Sequence, residues 1–332
     1  MEKFAMKKTL IALAALAATT AFAQSTATIS GGINVGIMNT GASGAQTEVA
    51  SLGAGANAIN IGVAEDLGGG LRGGFDSQIR FNAANGDRNS SGAVNALFHT
   101  ANTYLTGGFG TARIGSIVEA GTCAFDPWAC TGGAALQAGV VGGTNALGGA
   151  TSVKQAVQYT TPTVNGFSAN YTSSLSARTN ERQTLGVNYA NGPLALTAIN
   201  IKGSGNSTTD GGTAITDTAT SQRAIGASYD FGVARLSLLN TVSKGVGGAT
   251  SADVMSIGAT VPMGAYTLLA GFNKDDRARA NADTKISVGV NYALSKRTTL
   301  GADLFRAEGL AAITPRTGTS GSGFVTRIRH TF

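Results

Sequence analysis

Residues suited to catalysis or metal binding are few in this sequence and far apart. The chain contains only two histidines, His99 and His330, and two cysteines, Cys123 and Cys130. Acyl transfer needs a nucleophile, a base and a residue that orients the base, all in one place, and no serine–histidine–acid motif surrounds either histidine. A metal site would need more ligands than these four residues supply. We therefore expect no enzymatic activity, no metal and no cofactor.

The glycine run Gly68–Gly70 is another segment that could bind a ligand, as a phosphate-binding loop. Such a loop requires a following helix whose N-terminus faces the phosphate. The residues after Gly70 show no helical pattern, so we interpret the run as a hairpin turn.

The first 23 residues have the pattern of a secretory signal peptide. Lys7 and Lys8 give a positive start, the segment from Thr9 to Ala18 is apolar, and Ala21-Phe22-Ala23 has the small residues of a cleavage site. The apolar segment is too short to span a bilayer, which disfavours a membrane anchor. We predict a signal peptide over residues 1–23 and one exported domain over residues 24–332.

Export determines how the two cysteines are interpreted. Cys123 and Cys130 are separated by six residues, with Asp126 and Pro127 between them. In an oxidising compartment a local disulfide is the default state of such a pair. We predict a Cys123–Cys130 disulfide that shapes a bend within a loop.

The composition excludes several classes of protein. Only 13% of the residues are charged, and a net charge of +6 spread over 332 residues is too dilute for a nucleic-acid surface. Hydrophobic content of 42% with so few charges is unlike a disordered chain. No segment after Ala23 approaches the ~20 apolar residues of a membrane-spanning helix.

Alternation of apolar and polar residues is the dominant pattern of the chain. Ile286, Val288, Val290 and Tyr292, for example, alternate with polar or small neighbours, as expected for a strand with one apolar face. Sixteen such runs can be counted from Thr26 to Phe332. The pattern predicts an all-β protein, a 16-stranded antiparallel barrel.

The connections between these runs are of two alternating kinds. One set is short, whereas the other is generally long and polar, as in residues 39–57, 119–150, 203–220 and 307–321. Short turns at one rim and long loops at the other are typical of a bacterial outer-membrane barrel, with apolar residues facing lipid and polar residues facing water inside. Tyrosines recur close to the short turns, where an interfacial girdle is expected: Tyr159, Tyr171, Tyr189, Tyr229 and Tyr292. A simple preference of tyrosine for strand ends is the alternative.

Several motifs, in order along the whole mature chain, resemble the general porins of β-proteobacteria, of the neisserial and Burkholderia kind. They are E-D-L-G-G-G-L-R from Glu65, G-F-G-T-A-R-I-G from Gly108, V-Q-Y-T-T-P from Val157, G-V-N-Y-A-N-G-P from Gly186, G-A-S-Y-D-F-G-V-A from Gly226, Y-A-L-S-K-R-T from Tyr292 and the final R-I-R-H-T-F. The resemblance implies a homotrimer of sixteen-stranded barrels in the outer membrane of a Gram-negative bacterium, surrounded by lipid and lipopolysaccharide. It also implies that the third loop, residues 119–150, folds into the lumen, and that the terminal Phe332 is an assembly signal. An ordinary girdle role for Phe332 stays open.

Strand parity assigns the charged residues that we expect to line the pore. The basic set is Arg72, Arg80, Arg113, Lys154, Arg182, Arg235, Lys285, Arg327 and Arg329, with Asp76 and Asp303 on the same side. Arg113 and Lys154 flank the third loop and are the preferred constriction residues. Glu119 and Asp126 are the acids of that loop and would form the negative pole of a transverse field. Phe125 and Trp128 could line the constriction or pack the loop against the wall.

The sequence departs from the family where pore arginines are common. Ala58, Gly62, Ala101, Ser116 and Gln158 occupy those positions, so the basic lining is thinner. We expect a general diffusion porin that passes small ions and hydrophilic solutes passively, with a weak preference for anions. A substrate-specific channel and an adhesive or structural barrel are the alternatives.

Overall fold

A computed structural model gives the architecture. It describes residues 25–39, 41, 44–53, 57–87, 97–118, 123–128, 152–175, 182–203, 207–208, 219–245, 250–275, 283–308 and 321–332. The predicted signal peptide, residues 1–23, lies outside the described residues.

The described residues form one antiparallel sheet that closes on itself. Its strands are β1 (Thr26–Asn39), β2 (Glu48–Ser51), β3 (Ala58–Gly68), β4 (Leu71–Arg80), β5 (Thr100–Gly107), β6 (Gly110–Val118), β7 (Ser152–Thr160), β8 (Phe167–Ser174), β9 (Gln183–Asn191), β10 (Leu194–Lys202), β11 (Ser207–Thr208), β12 (Ala219–Asp230), β13 (Arg235–Gly245), β14 (Thr250–Met263), β15 (Tyr266–Asp275), β16 (Asp283–Ala293), β17 (Thr298–Glu308) and β18 (Gly321–Thr331). Strand β1 pairs with β18 on one side and with β2 and β3 on the other, which closes the barrel. Within the described ranges, no helix is long and apolar enough to cross a membrane.

Sixteen of these strands form the wall, which confirms the predicted count. The two short strands, β2 and β11, do not widen it. Strand β2 pairs with residues 35–38 of β1, and β3 pairs with residues 26–32 of β1. The two strands therefore occupy one position beside β1, β2 at the long-loop rim (the upper end of the barrel) and β3 toward the short-turn rim. Strand β11 pairs with Ser152 and Val153 at the upper end of β7.

The break between β2 and β3 is closed by the side chain of Asn57. Its Oδ1 accepts a hydrogen bond from the backbone N–H of Asn34 at 2.7 Å, and its Nδ2 donates to the Asn34 carbonyl at 3.2 Å. The same Nδ2 lies 2.9 Å from Ser51 Oγ. The Asn34 carbonyl also accepts the Leu52 N–H at 2.9 Å, and the amide side chain supplies the acceptor for the buried Asn34 N–H at this break in the ladder.

Short turns join the strands at one rim of the barrel. Gly68, Gly69 and Gly70 all have positive φ, at 82°, 62° and 80°, a conformation that glycine adopts without steric cost. Asp66 Oδ1 accepts the Gly68 N–H at 2.9 Å. The run is therefore a hairpin turn, as predicted from the absence of a following helix.

The outer face of the wall is apolar and ends in aromatic residues beside the short turns. Leu238 on β13 and Ile225 on β12 are 53% and 65% exposed, as expected for side chains that face lipid. Tyr266 and Tyr292 contact each other with ring centroids 4.7 Å apart, and Phe167 contacts Tyr189 at 4.5 Å. All of these rings lie within a few residues of a short turn, which agrees with the predicted girdle.

Candidate functional site: the inner face of the barrel

Alternation along each strand places a second set of residues on the inner face. In β17, Gly301, Asp303 and Phe305 are buried, whereas Ala302 and Leu304 between them are exposed. The inner face has two contrasting parts. We call strands β12–β18 the loop-bearing wall and strands β3–β6 the polar wall.

Residues 123–128, here called the loop segment, lie against the loop-bearing wall. Three of its side chains lie over inward-facing glycines of three strands: Phe125 over Gly226 of β12, Pro127 over Gly258 of β14 and Trp128 over Gly271 of β15. A Cβ atom at Gly226 or Gly271 would lie 3.0 or 2.9 Å from the aromatic ring above it, and one at Gly258 would lie closer still to Pro127. The glycines therefore provide the space that the loop segment fills.

A hydrogen-bonded network attaches Trp128 to the wall. Its indole Nε1 donates to Asp303 Oδ1 at 2.8 Å. The other oxygen of Asp303 is paired with the Arg327 guanidinium, whose Nη2 donates to Asn291 Oδ1 at 2.6 Å. The side chains of Arg327 and Asp303 are 4% and 0% exposed. Such a buried pair holds its geometry only when both partners are present.

Asp126 is buried within the same part of the barrel. It is 5% exposed, and its Oδ1 accepts the backbone N–H of Trp128 at 2.9 Å. It attracts the ammonium group of Lys285, which is fully buried on β16. This position differs from the expectation that Asp126 forms the negative pole of a field across the pore.

Apolar residues on the inner face complete the bed of the loop segment. Phe125 packs with Ile199, Ile201, Ala224 and Leu239, and Trp128 packs in a second cluster, with Met38, Ala50, Leu52, Leu269, Phe305 and Val325. The sequence had suggested an inner face of small, polar and charged residues. The apolar bed follows from runs such as Ile199-Asn200-Ile201 beside Leu196, in which both faces of a strand are apolar over part of its length.

The polar wall is different, because its charge pair, Arg113 and Asp76, keeps contact with water. Arg113 Nη1 lies 2.7 Å from Asp76 Oδ2 and donates to Asn102 Oδ1 at 2.8 Å. The guanidinium also lies 5.0 Å from the centre of the Tyr104 ring. The side chains of Arg113 and Asp76 remain 29% and 45% exposed. Arg113 thus faces the lumen with an acidic partner beside it.

The other predicted pore residues are spread along the wall and do not converge. Arg72 is exposed near the short-turn rim, opposite Asp66 in register. Arg80 and Arg182 are buried, at 5% and 2% exposure, and Arg329 is half-buried beside Arg327. Glu119, Cys130 and the side chain of Cys123 lie outside the described residues, as does most of the 119–150 loop.

Lys154 lies at an irregularity that the sequence did not reveal. Gly115 pairs with Ala156 and Ile117 pairs with Val153, so Lys154 and Gln155 together oppose Ser116. Gln155 also has a positive φ of 50°. A bulge of this kind interrupts the alternation of faces. The parity that places Gln158 on the inner face therefore does not extend to Lys154.

Two of the five family departures are not on the inner face. Ala101 and Ser116 pair with each other, and the next pair on the same face is Thr103 with Ile114, which is 62% exposed to the outside. Their small side chains therefore remove no charge from the pore. Gln158 does face inward, directly opposite Arg113.

Comparison with known proteins identifies relatives over nearly the whole chain. A family model described as Gram-negative porin matches residues 9–309. Outer membrane porin protein 32 of Delftia acidovorans is 30% identical over 370 aligned positions, which cover 98% of this chain and 100% of that protein.

Solved structures share the fold. The anion-selective porin from Comamonas acidovorans superposes with a TM-score of 0.72 at 26% identity, covering 93% of this chain and 100% of that one. The trimer form of OmpT from Vibrio cholerae superposes with a TM-score of 0.65 at 14% identity, covering 93% and 99% of the two chains. At that identity the likeness to OmpT shows the fold alone.

Proposed function

Because this chain belongs to the Gram-negative porin family, whose place is the outer membrane, we propose that it is a general diffusion channel. Small hydrophilic solutes and ions would cross the membrane passively through its lumen, with a weak preference for anions. Membership of a porin family implies a channel, and the proposed mechanism contains no chemical step. The relative from Comamonas acidovorans is described as anion-selective, and the same preference is proposed for this chain.

The distribution of charge on the inner face carries the proposal. Asp76 is paired with Arg113, Asp303 is paired with Arg327, and Asp126 attracts the charge of Lys285. By contrast, Arg235 bonds the Ala124 carbonyl and Ser228 Oγ. Across the part of the chain that the structure describes, neither Arg235 nor Arg329 has an acidic partner. A basic excess inside a low-dielectric wall raises the local concentration of anions.

A substrate-specific channel is less well supported by the geometry. That function would use a row of aromatic and basic side chains along the open lumen, and Phe125 and Trp128 were the residues that suggested it. Both are buried against the wall, at 6% and 2% exposure. An adhesive or structural barrel with a closed lumen remains the other candidate, and conductance separates it from a channel.

Assembly and surroundings belong to the same proposal. The OmpT neighbour is described in a trimer form, and we propose that this chain is a homotrimer in contact with outer-membrane lipid and lipopolysaccharide. The mass of the purified protein in detergent, measured by light scattering, tests the trimer. A monomer mass after mild extraction would contradict it.

Phe332 is proposed as the residue that the outer-membrane assembly machinery reads. Its side chain is 46% exposed at the short-turn rim, and its backbone N–H and carbonyl both bond Gly31 at 3.0 Å. An exposed aromatic side chain at the end of the last strand is accessible to a partner. Deletion of Phe332 should lower the amount of folded barrel in the outer membrane, and normal amounts would contradict the proposal.

The Cys123–Cys130 disulfide is likewise proposed. The loop that it would close is so short that its entropic contribution should be below the ~3 kcal/mol of a fifteen-residue loop. Its effect would be to shape the segment next to Ala124, which contacts Arg235. Two free thiols in mass spectrometry of the non-reduced protein would contradict it.

Single-channel recording in planar bilayers is the direct test of the channel. We expect stable stepwise conductance and a reversal potential in a salt gradient that indicates a small excess of anion current. The preference should weaken as salt rises, since charges are screened over ~8 Å at physiological ionic strength. An absence of conductance would favour the structural barrel. Saturable binding of one solute would favour the specific channel.

A further inference from the structure

A shallow recess lies beside the Asp76–Arg113 pair on the inner face of the barrel. Gly62 of β3 pairs directly with Asp76 of β4 on one side and with Thr28 of β1 on the other, so the three residues share this face. A Cβ atom placed on Gly62 would lie 3.0 Å from Thr28 Oγ1 and 3.5 Å from Asp76 Oδ1. Apart from the sequence neighbours of Gly62, the described residues bring no other heavy atom within 4 Å of that point. We call Thr28, Gly62 and Asp76 the Gly62 recess.

The recess suits a small cationic group. Asp76 binds Arg113 through Oδ2 at 2.7 Å, and no group of the described residues donates a hydrogen bond to its Oδ1. The Thr28 hydroxyl donates to the Gly62 carbonyl at 3.3 Å and keeps its lone pairs as acceptors. Since N–H···O bonds are ~2.7–3.2 Å long, an ammonium nitrogen in the recess can donate to both oxygens with only a small shift.

Arg113 offers the complementary group next to the recess. Its Nη1 donates to Asp76 Oδ2 and to Asn102 Oδ1, at 2.7 and 2.8 Å. The guanidinium carries further N–H donors on Nε and Nη2, and within the described part of the chain no acceptor is bonded to them. The side chain is 29% exposed, so these donors can be reached from the lumen. A carboxylate is the group that such a planar fork binds best.

The guanidinium is held in position before any solute arrives. Tyr104 of β5 pairs with Arg113 on one side and with Gly74 on the other, and Arg113 Cζ lies 5.0 Å from the centre of the Tyr104 ring. A Cβ atom on Gly74 would lie 2.5 Å from the Tyr104 hydroxyl, so the glycine provides the space that the ring needs. Because the ring and the two acceptors fix the guanidinium, a solute pays little to order it.

The pair presents two opposite charges side by side, and this restricts the solutes that fit. A simple anion at Arg113 would also lie close to the carboxylate of Asp76, and a simple cation at Asp76 would lie close to Arg113. Each would therefore gain one attraction and one repulsion of similar range. A solute that carries both an ammonium and a carboxylate group, a few bonds apart, can instead meet both charges favourably.

We propose that the Gly62 recess and Arg113 form a low-affinity subsite for zwitterionic amino-carboxylates, the class to which free amino acids belong. The ammonium group of the solute donates to Asp76 Oδ1 and Thr28 Oγ1, and its carboxylate accepts from Nε or Nη2 of Arg113. Weak binding at a pore wall favours entry without preventing exit. The subsite rests on the proposed diffusion function and names one class of solute that the pore favours.

Liposome swelling with a pair of isomers tests the subsite. The mature protein is reconstituted into liposomes, and the influx rates of β-alanine, a zwitterion, and of lactamide, its uncharged isomer, are compared. Both solutes have the same mass and no net charge, so the pore width and a general preference for anions affect them alike. The measured quantity is the ratio of the two rates. Arg306→Gln is the control, because Arg306 lies outside the pore beside Glu308, and this variant should keep the wild-type ratio.

Two substitutions separate the recess from the charge pair. Gly62→Ala fills the recess with a methyl group and keeps both charges, so the ratio of β-alanine to lactamide influx should fall about threefold, as expected for loss of a partly exposed ion contact. Arg113→Gln removes the partner of the carboxylate and should lower the ratio as well. If Gly62→Ala does not fold, Thr28→Val removes the hydroxyl of the recess at nearly constant volume and should also lower the ratio.

The outcomes distinguish the subsite from simpler explanations. A wild-type ratio in Gly62→Ala, or in Thr28→Val where it replaces that variant, would overturn the proposal, since the field of the wall alone would then account for any effect of Arg113→Gln. A wild-type ratio in Arg113→Gln would overturn it too, because only a cation site would remain. An absence of lactamide influx through the wild-type protein would contradict the diffusion channel itself, on which the subsite depends.

Discussion

The two walls of this barrel use similar charged residues for different purposes. On the loop-bearing wall, Asp303 and Arg327 are almost fully buried and hold Trp128. On the polar wall, Asp76 and Arg113 form a pair of the same type whose side chains keep 45% and 29% of their exposure. A charge pair interacts more strongly in a dry environment, but it also costs more to leave one partner alone there. The buried pair therefore fixes structure, whereas the exposed pair can tune the field in the pore.

The largest expected effect comes from breaking the buried pair. The substitution Asp303→Ala leaves Arg327 buried without its partner, and removing one member of such a pair typically costs ~3–5 kcal/mol. It also removes the acceptor of the Trp128 indole. We expect a lower unfolding temperature, a noisier channel of higher conductance and a shift of tryptophan emission to longer wavelength. Trp128 is the only tryptophan of the chain, so the emission reports on the loop segment alone.

The polar wall provides the control for that experiment. Asp76→Ala removes the acid of the exposed pair and should leave the Trp128 emission and its quenching by acrylamide unchanged. If the emission of Asp303→Ala also stays unchanged, the indole is not held by the wall and the assigned network is wrong.

A second contrast concerns the glycines beneath the loop segment. Gly258→Ala places a methyl group against the Pro127 ring and Ser237 Oγ, and overpacking of this kind typically costs about 1–3 kcal/mol. Because the charge network remains intact, we expect a smaller change in conductance and in tryptophan quenching than for Asp303→Ala. Gly62→Ala is the matched change on the polar wall, where the new methyl meets only the ends of two side chains, at 3.0 and 3.5 Å. Equal effects of the two substitutions would argue against a special role for the glycines.

A third contrast lies within the exposed pair itself. Arg113→Gln removes a basic charge and leaves Asp76 unopposed, so the reversal potential should move toward cations. Asp76→Asn should move it toward anions, and the double variant should lie close to the wild type. The cost to stability should be about 1 kcal/mol or less, because partly exposed pairs contribute little. Shifts of the same sign in both single variants would mean that the pair does not face the ion path.

The fold could be predicted from the sequence because its signal is repeated. Each strand carries the same alternation, and each short turn carries residues suited to it, such as the positive-φ glycines after Asp66. Sixteen weak indications that agree define the wall securely. The local breaks in that pattern could not be predicted. The side chain of Asn57 closes a gap in the wall, and its role depends on Asn34, which is 23 residues distant in sequence.

The site could be predicted only in part. Alternation along a strand shows whether a side chain points inward or outward, but it does not show which other side chains that residue contacts. Alternation correctly placed Asp76, Arg113, Asp303 and Arg327 on the inner face. It could not show which acids would be buried beside bases, since that depends on where the loop segment lies. Asp126 was expected to face the pore, yet it is 5% exposed and attracts the charge of the buried Lys285. The inward-facing glycines of β12, β14 and β15 were the one sequence feature that could have indicated where the loop segment lies. Because these residues lack side chains, they leave space on one wall, and another segment must fill it.

The smallest expected effect tests the bulge that separates Lys154 from the inner face. Lys154→Gln should shift the reversal potential less than Arg113→Gln does, although the sequence alone made both residues constriction candidates. The reason is that Lys154 and Gln155 together oppose Ser116, on the side of Ile114. A charge on that side is separated from the ion path by the wall and screened over ~8 Å at physiological salt.

Gln158→Lys is the counterpart, because it places the same ammonium group directly opposite Arg113 and should shift the potential toward anions. Both variants should be measured at low salt, where a wall charge acts most strongly. If Lys154→Gln shifts the potential as far as Arg113→Gln does, the lysine reaches the lumen despite the bulge, and the basic lining extends beyond the polar wall to β7.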